Sequence, residues 1–228
     1  MTNQKMRKSP LRYPGGKSKA LKYLLDDSRL PETISEYREP FLGGGSVAIE
    51  ISKRYPHLPV WVNDKYKHLW NFWTILQESG QELTDRILEL KHKHPDIDTA
   101  RTLFDECKQQ LNDILTMPSD AAIAFYVVNK CSFSGLTENS SFSKLASERN
   151  FTLSNIASLA YYSTIIQNWR ITNLNYTELL KDTTENTFLF LDPPYDLKKD
   201  YTMSGTDGDK LYGKKGAMHS GFNHVRRR

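Results

Sequence analysis

Cysteine is scarce in this chain: two in 228 residues, Cys107 and Cys131. Neither stands at metal-ligand or redox spacing. That argues against a cysteine-based metal site or a disulfide framework, and a reducing cytoplasm is the simplest setting. The six histidines are scattered without ligand spacing, so no metal is implied. No run approaches the ~20 apolar residues of a membrane span. The N-terminal stretch is polar and basic and lacks the apolar core of a signal peptide. Internal repeats and low-complexity tracts are missing as well. Charge of one sign is in small excess only, at a formal +4, which does not by itself argue for a nucleic-acid ligand. The basic residues do gather at the ends, at Lys5, Arg7, Lys8 and Arg12 and again at Arg226, Arg227 and Arg228. Solvated termini explain either run equally well.

What is present is the composition of an ordinary globular protein, with 38% hydrophobic and 25% charged residues. Residues 18–25 read as a short helix after a Gly-rich turn. Residues 37–42 read as a strand broken by Gly43-Gly44-Gly45, with Ser46 as the N-cap of a helix over 47–54. Val60-Trp61-Val62 reads as a buried strand ending at Asn63-Asp64. This β-loop-α-β start is the opening of a doubly wound fold. Residues 68–115 are mostly helical, with Leu83, Ile87 and Leu90 at helical spacing. Residues 121–128 form a further helix, 131–150 a Ser-, Asn- and Gly-rich loop or hairpin, and 156–168 another helix. Strand signals return at 169–172 and 188–191. The expected organisation is therefore one α/β domain, residues 1–67 with 169–228, interrupted by a mostly helical insertion over 68–168.

Three motifs carry chemistry. Asp192-Pro193-Pro194-Tyr195 follows the apolar run Phe188-Leu189-Phe190-Leu191, the pattern of a buried parallel strand, and ligands in such sheets bind beyond the strands' carboxyl ends. Its parts suit a reaction at an aromatic amine, whose lone pair is delocalised into the ring. Asp192 and the Pro193 carbonyl can accept the two amine N–H groups, and proline adds no competing donor. Tyr195 offers a flat face to an extruded base. The second motif, Glu39-Pro40-Phe41-Leu42-Gly43-Gly44-Gly45-Ser46, places glycines and a helix N-terminus where a ligand's anionic group is favoured. Asp64, ending the next strand, stands where a carboxylate binds ribose hydroxyls. These two features alone do not separate a nicotinamide enzyme from a methyltransferase. The third, Tyr13-Pro14-Gly15-Gly16-Lys17, lacks the spacing of a P-loop. Its lysine suits a carboxylate partner, and a surface turn is the plainer alternative.

In this order the three motifs resemble the Dam-like class of DNA adenine-N6 methyltransferases, over essentially all of residues 9–224. The resemblance implies a Rossmann-like α/β methyltransferase sheet with an inserted, mostly helical target-recognition domain. It implies S-adenosylmethionine as cofactor and duplex DNA as substrate, with no metal and no membrane. Tyr13, Lys17, Asp64 and Asp192 then correspond to cofactor contacts, with Phe41, Gly43 and Gly45 lining the pocket, and Asp192, Pro193 and Tyr195 to the catalytic group. Asn175-Tyr176 corresponds to a further cofactor-side element. Residues 129–136 look like the family's DNA-contacting hairpin entry, which assigns Lys130 and Ser134 to DNA; an exposed loop lysine is the equal alternative for Lys130. The arginine that better-known members carry after the Gly-Leu pair is replaced here by Thr137-Glu138-Asn139. GATC is the first expectation for the target.

Members of that class continue beyond the Asp-Pro-Pro-Tyr motif with a helix and further strands. Here residues 211–224 still resemble the post-motif segment before Val225 and the three arginines. The expectation is a sheet incomplete at its C-terminal side, an uncovered edge at 188–191, self-association, and an activity that this incompleteness puts in question. The rival readings are methyl transfer to another planar amine such as RNA adenine or cytosine, an inactive remnant that binds cofactor or DNA, and, more distantly, a nicotinamide oxidoreductase.

Overall fold

The computed structural model describes residues 9–26, 30–31, 33–135 and 140–193. Its centre is a parallel sheet of β1 (Glu36–Glu39), β2 (Val60–Asn63), β3 (Trp169–Thr172) and β4 (Thr187–Leu189), in the order β3-β2-β1-β4. Strand order reverses between β1 and β4, the switch point of a doubly wound fold. The pleat sorts the strands into two unlike faces. Tyr37 stands in register with Val60 and Phe188, and Val60 with Trp169, giving an apolar row. That row packs against α2 (Ser46–Arg54) and α3 (Lys67–Lys93): the Trp169 indole donates to Ser52 Oγ at 2.7 Å and lies 5.7 Å from the Trp73 ring. On the opposite face Arg38 and Arg170 flank Trp61, with guanidinium carbons 5.0 and 3.8 Å from the ring centroid. Arg38 also pairs with Glu36 at 2.7 Å and donates to the Leu179 and Lys181 carbonyls. Among the described residues β4 has a strand neighbour on one side, β1.

The segment between β2 and β3 is helical: α3, α4 (Ile97–Asn112), α5 (Pro118–Cys131), α6 (Lys144–Asn150) and α7 (Leu153–Ile165). Helix α5 is buried continuously from Ala122 to Cys131, with α3, α4 and α6 packed around it, and its sequence is accordingly apolar on all sides from Ala122 to Val128. Asp96 caps α4, Thr152 caps α7, and Pro118 occupies the first position of α5. Helix α3 is kinked at Ser79, beside Gly80, whose Cα abuts Ser163 of α7. Cys107 on α4 and Cys131 on α5 are free and buried, and burial pushes their thiols up to about 12 and about 11. No helix among the described residues is long and apolar enough to cross a membrane.

Four local readings change. The first strand ends at Glu39, short of the expected 42: Pro40 has no N–H to give a ladder, and the Leu42 N–H has already turned to the Asn63 carbonyl at 2.9 Å. The cap of α2 is Gly45, in the left-handed region at φ 67°, and Ser46 is the helix's first residue. Residues 18–25 are a 3-10 turn (Lys17–Lys19) followed by the single-turn helix α1 (Leu21–Leu24). The expected loop or hairpin over 131–150 is a hairpin only in its first part, where Ser132 pairs antiparallel with Phe142. It then becomes α6, started by Ser143 accepting from the Ala146 N–H at 3.2 Å. Serine and asparagine there are capping residues, which composition alone reads as loop.

Residues Met1–Phe190 form one compact unit and Leu191–Arg228 another. Of the second, Leu191, Asp192 and Pro193 are described, without regular secondary structure.

Candidate cofactor and DNA site

Where β1 and β2 end, side chains lock the connecting loops. Asn63 donates to the Pro40 and Leu174 carbonyls at 3.2 and 3.3 Å and accepts from the Leu174 N–H and the Thr172 hydroxyl at 2.7 and 2.9 Å. One buried amide thus ties together the loops leaving β1, β2 and β3. The glycine loop turns within this frame. Gly43 and Gly45 take φ of 51° and 67°, in the left-handed region that glycine adopts without steric cost. The Trp73 indole donates to the Gly43 carbonyl at 3.2 Å, and a Cβ on Gly45 would stand 2.8 Å from that ring.

Two carboxylates set the electrostatics. Asp64 accepts from Gly43 N–H at 2.9 Å and from Tyr66 N–H at 3.0 Å. Burial raises its pKa above the usual carboxylate value, and the two N–H donors partly counter this. Glu39 is 3% exposed; one carboxylate oxygen accepts from the Tyr37 hydroxyl at 2.7 Å and from the Ala48 N–H at 3.1 Å. Ala48 lies in the first turn of α2, so the positive end of that helix is already met by the protein's own carboxylate. The expectation of an anionic ligand group at this terminus is therefore corrected. A dinucleotide would bring its pyrophosphate against Glu39, with Asp64 at the same loop. A ligand with a cationic centre and a ribose fits the donor set; a pyrophosphate does not.

The N-terminal element closes on this loop. The Tyr13 ring lies over it: Cβ atoms on Gly43 and Gly44 would meet Tyr13 at 2.9 and 3.0 Å. Burial, and next the Asp64 carboxylate, push the Tyr13 hydroxyl up to about 12. Ser9 Oγ donates to the Gly44 carbonyl at 2.5 Å. Lys17 Nζ donates to the Gly15 carbonyl at 3.0 Å within its own turn. Phe41 faces Tyr176 with ring centroids 5.3 Å apart, and Asn175 accepts from the Thr177 N–H at 3.1 Å to start the 3-10 turn that carries Tyr176. Tyr13, Phe41, Gly43, Gly45 and Asp64 are thus gathered around the ends of β1 and β2, with Lys17 on the turn following Tyr13.

The structure corrects the expectation of an exposed Lys130 at the DNA. This residue lies in the last turn of α5, not on a loop, and is 1% exposed. Its ammonium donates to the Pro10 carbonyl and sits 5.1 Å from the Tyr126 ring centroid. A lysine near a helix C-terminus interacts favourably with the dipole, but this one does not face solvent. Ser134 belongs to the 3-10 turn Phe133–Gly135 at the hairpin. Asp192 and Pro193 follow Leu191 at the start of the second unit. Tyr195, residues 211–224, the Thr137-Glu138-Asn139 substitution and the basic termini apart from Arg12 lie outside the described residues. Among the described residues no cluster of His, Cys, Asp or Glu could hold a metal ion.

Asn63 and Trp73 shape the site without a role legible in the sequence, and Glu39 stands in the second motif with no role of its own assigned there. The only local signal was position, an amide and a carboxylate each ending a strand. Trp73 gave none, because its partner is contributed by a loop thirty residues away.

Residues 13–226 match the family model of the D12 class of N6 adenine-specific DNA methyltransferases. A similar protein is the type II methyltransferase M.MjaIII of Methanocaldococcus jannaschii, 21% identical over 203 residues that cover 81% of this chain and 68% of that one.

Proposed function

The chain belongs to the D12 class of N6 adenine-specific DNA methyltransferases, and on that premise we propose how its residues divide the work. The activity is S-adenosylmethionine-dependent methylation of adenine N6 in DNA. Tyr13, Phe41, Gly43 and Gly45 form the wall against which the cofactor lies. Asp64 spends one lone pair of each oxygen on Gly43 and Tyr66, and a carboxylate keeps further acceptor capacity for ribose hydroxyls. Lys17 pairs with the cofactor's carboxylate. When bound, the cofactor supplies an electrophilic methyl on a sulfonium. The observation that carries this reading is Glu39 at the N-terminus of α2, which suits a cationic ligand and opposes a dinucleotide.

On the substrate side, Asp192 and the Pro193 carbonyl each accept one N–H of the adenine amine. Both bonds favour a pyramidal nitrogen and turn its lone pair out of the ring plane, with preorganised acceptors supplying much of the rate. Asp192 is assigned a cofactor contact as well, and Tyr195 stacks on the extruded base. Residues 1–67 with 169–228 act as the catalytic domain, and 68–168 as the target-recognition insertion, with Ser134 in the DNA-contacting hairpin. We assign the chain to the Dam-like branch, with GATC as target, in a reducing cytoplasm that suits its free thiols. The side of β4 that has no strand neighbour among the described residues is where a second copy would associate.

Incorporation of labelled methyl into duplex DNA, RNA and free nucleosides tests the reading. Duplex DNA is the expected acceptor; preference for RNA would overturn it. A panel of methylation-sensitive digestions tests the target, and protection of a site other than GATC would reject that assignment.

A further inference from the structure

The segment from Ser9 to Tyr13 is held from two sides. On one side is the cofactor loop, through Ser9 Oγ on the Gly44 carbonyl and the Tyr13 ring on Gly43 and Gly44. On the other is the end of α5 with the hairpin that follows it. There Asn129, 1% exposed, uses its amide as a substitute strand: Oδ1 accepts from the Arg12 N–H at 2.9 Å, and Nδ2 donates to the Arg12 carbonyl at 2.6 Å. The two residues are 117 positions apart. The same Nδ2 donates to the Gly135 carbonyl at 3.0 Å. Arg12 returns a bond to the Ser132 carbonyl at 2.6 Å, and the Lys130 ammonium holds Pro10. Gly135, at φ 75°, lies so close that a Cβ there would stand 2.7 Å from Arg12.

We infer that Asn129 is a positioning residue that couples the DNA-contacting hairpin to the cofactor loop through the Ser9–Tyr13 strap. The inference rests on the reading of this hairpin as DNA-contacting. The physical argument is one of short, stiff connections. A shift of the hairpin moves Gly135 and Ser132, and both bear directly on Arg12. The neighbouring residue, Tyr13, is the one packed on the glycine loop. Among the described residues no other element intervenes, so DNA and cofactor each bias the position of the same backbone. Thermodynamic reciprocity then requires each to change the other's affinity by the same factor. A residue that only stabilises the fold would weaken both bindings and leave that factor alone.

The test is calorimetric titration of the full chain with sinefungin, a cofactor analogue that transfers no methyl, with and without a target duplex. The duplex is expected to tighten binding of the analogue by about 5-fold or more in the parent, the lower end of usual coupling. Asn129→Ala is expected to bring that ratio to within about 2-fold, whatever its effect on thermal stability. Ser9→Ala cuts the strap at its other end and is expected to do the same; it decides the matter if Asn129→Ala does not fold. A parental ratio retained in Ser9→Ala or in folded Asn129→Ala overturns the inference, as does a parent that binds both ligands independently. A parent that binds neither overturns the functional reading itself.

Discussion

Asp64 reaches back 21 residues to accept the Gly43 N–H at 2.9 Å, so that the carboxylate at the end of β2 fixes the glycine turn after β1. Burial raises its pKa in the fold. A carboxylate with a raised folded pKa binds more protons folded than unfolded, so its contribution to stability is complete below the unfolded pKa and is lost as pH rises through the folded value. The difference in unfolding free energy between parent and Asp64→Asn is therefore expected to shrink as pH rises above the ordinary carboxylate range. Denaturant titrations of both chains across acidic to neutral pH measure it; a difference that grows with pH would contradict this account.

Lys17 is expected to act on one end of the cofactor. Lys17→Ala should weaken binding of S-adenosylmethionine by about 1.5–3 kcal/mol, the usual worth of a charged hydrogen bond. An analogue lacking the carboxylate should bind parent and variant alike. Equal losses for both ligands would remove the assigned pairing.

Gly45→Ala forces a side chain into the left-handed region and against Trp73 at 2.8 Å. Overpacking of this kind costs about 1–3 kcal/mol. Thermal unfolding reads the loss directly. Cofactor affinity is expected to drop as well, since the indole also holds the Gly43 carbonyl.

Asp192→Ala is expected to abolish methyl transfer while leaving circular dichroism unchanged. Asp192→Asn keeps an acceptor oxygen but loses the charge, and a large but incomplete loss is expected. Near-parental turnover in a folded Asp192→Ala chain would show that the amine finds its acceptor elsewhere.

For Lys130 the expectation is now structural. Lys130→Ala leaves the Pro10 carbonyl without this donor, worth about 1–3 kcal/mol of stability. The slope of DNA affinity against salt reports the phosphates neutralised, and that slope is expected to stay at its parental value. A shallower slope would return Lys130 to the DNA interface.

The sheet and its loops were largely legible because their signals are local. Val60-Trp61-Val62 and the glycine triplet announce a strand and a turn without reference to anything distant. Phe41 to Gly45 and Asp64 could be placed on the ends of strands by counting along the chain. The errors share one cause, a hydrogen-bond partner that residue type alone does not name. Lys130 looked like a loop cation because nothing near it predicts the Pro10 carbonyl. Residues 144–150 looked like loop because Ser143 is equally a turn residue and a helix cap until its partner N–H is known. The anion at α2 is the protein's own Glu39, and its contact with Ala48 depends on how β1 meets the helix.

The two buried thiols give the helical region reporters of its own. Cys107 and Cys131 sit on neighbouring helices with the thiolate form suppressed by burial, so an alkylating reagent reaches them only when those helices part. Labelling speed then measures how often this region opens short of global unfolding. Slower labelling with DNA bound would register the substrate as a clamp that holds these helices closed.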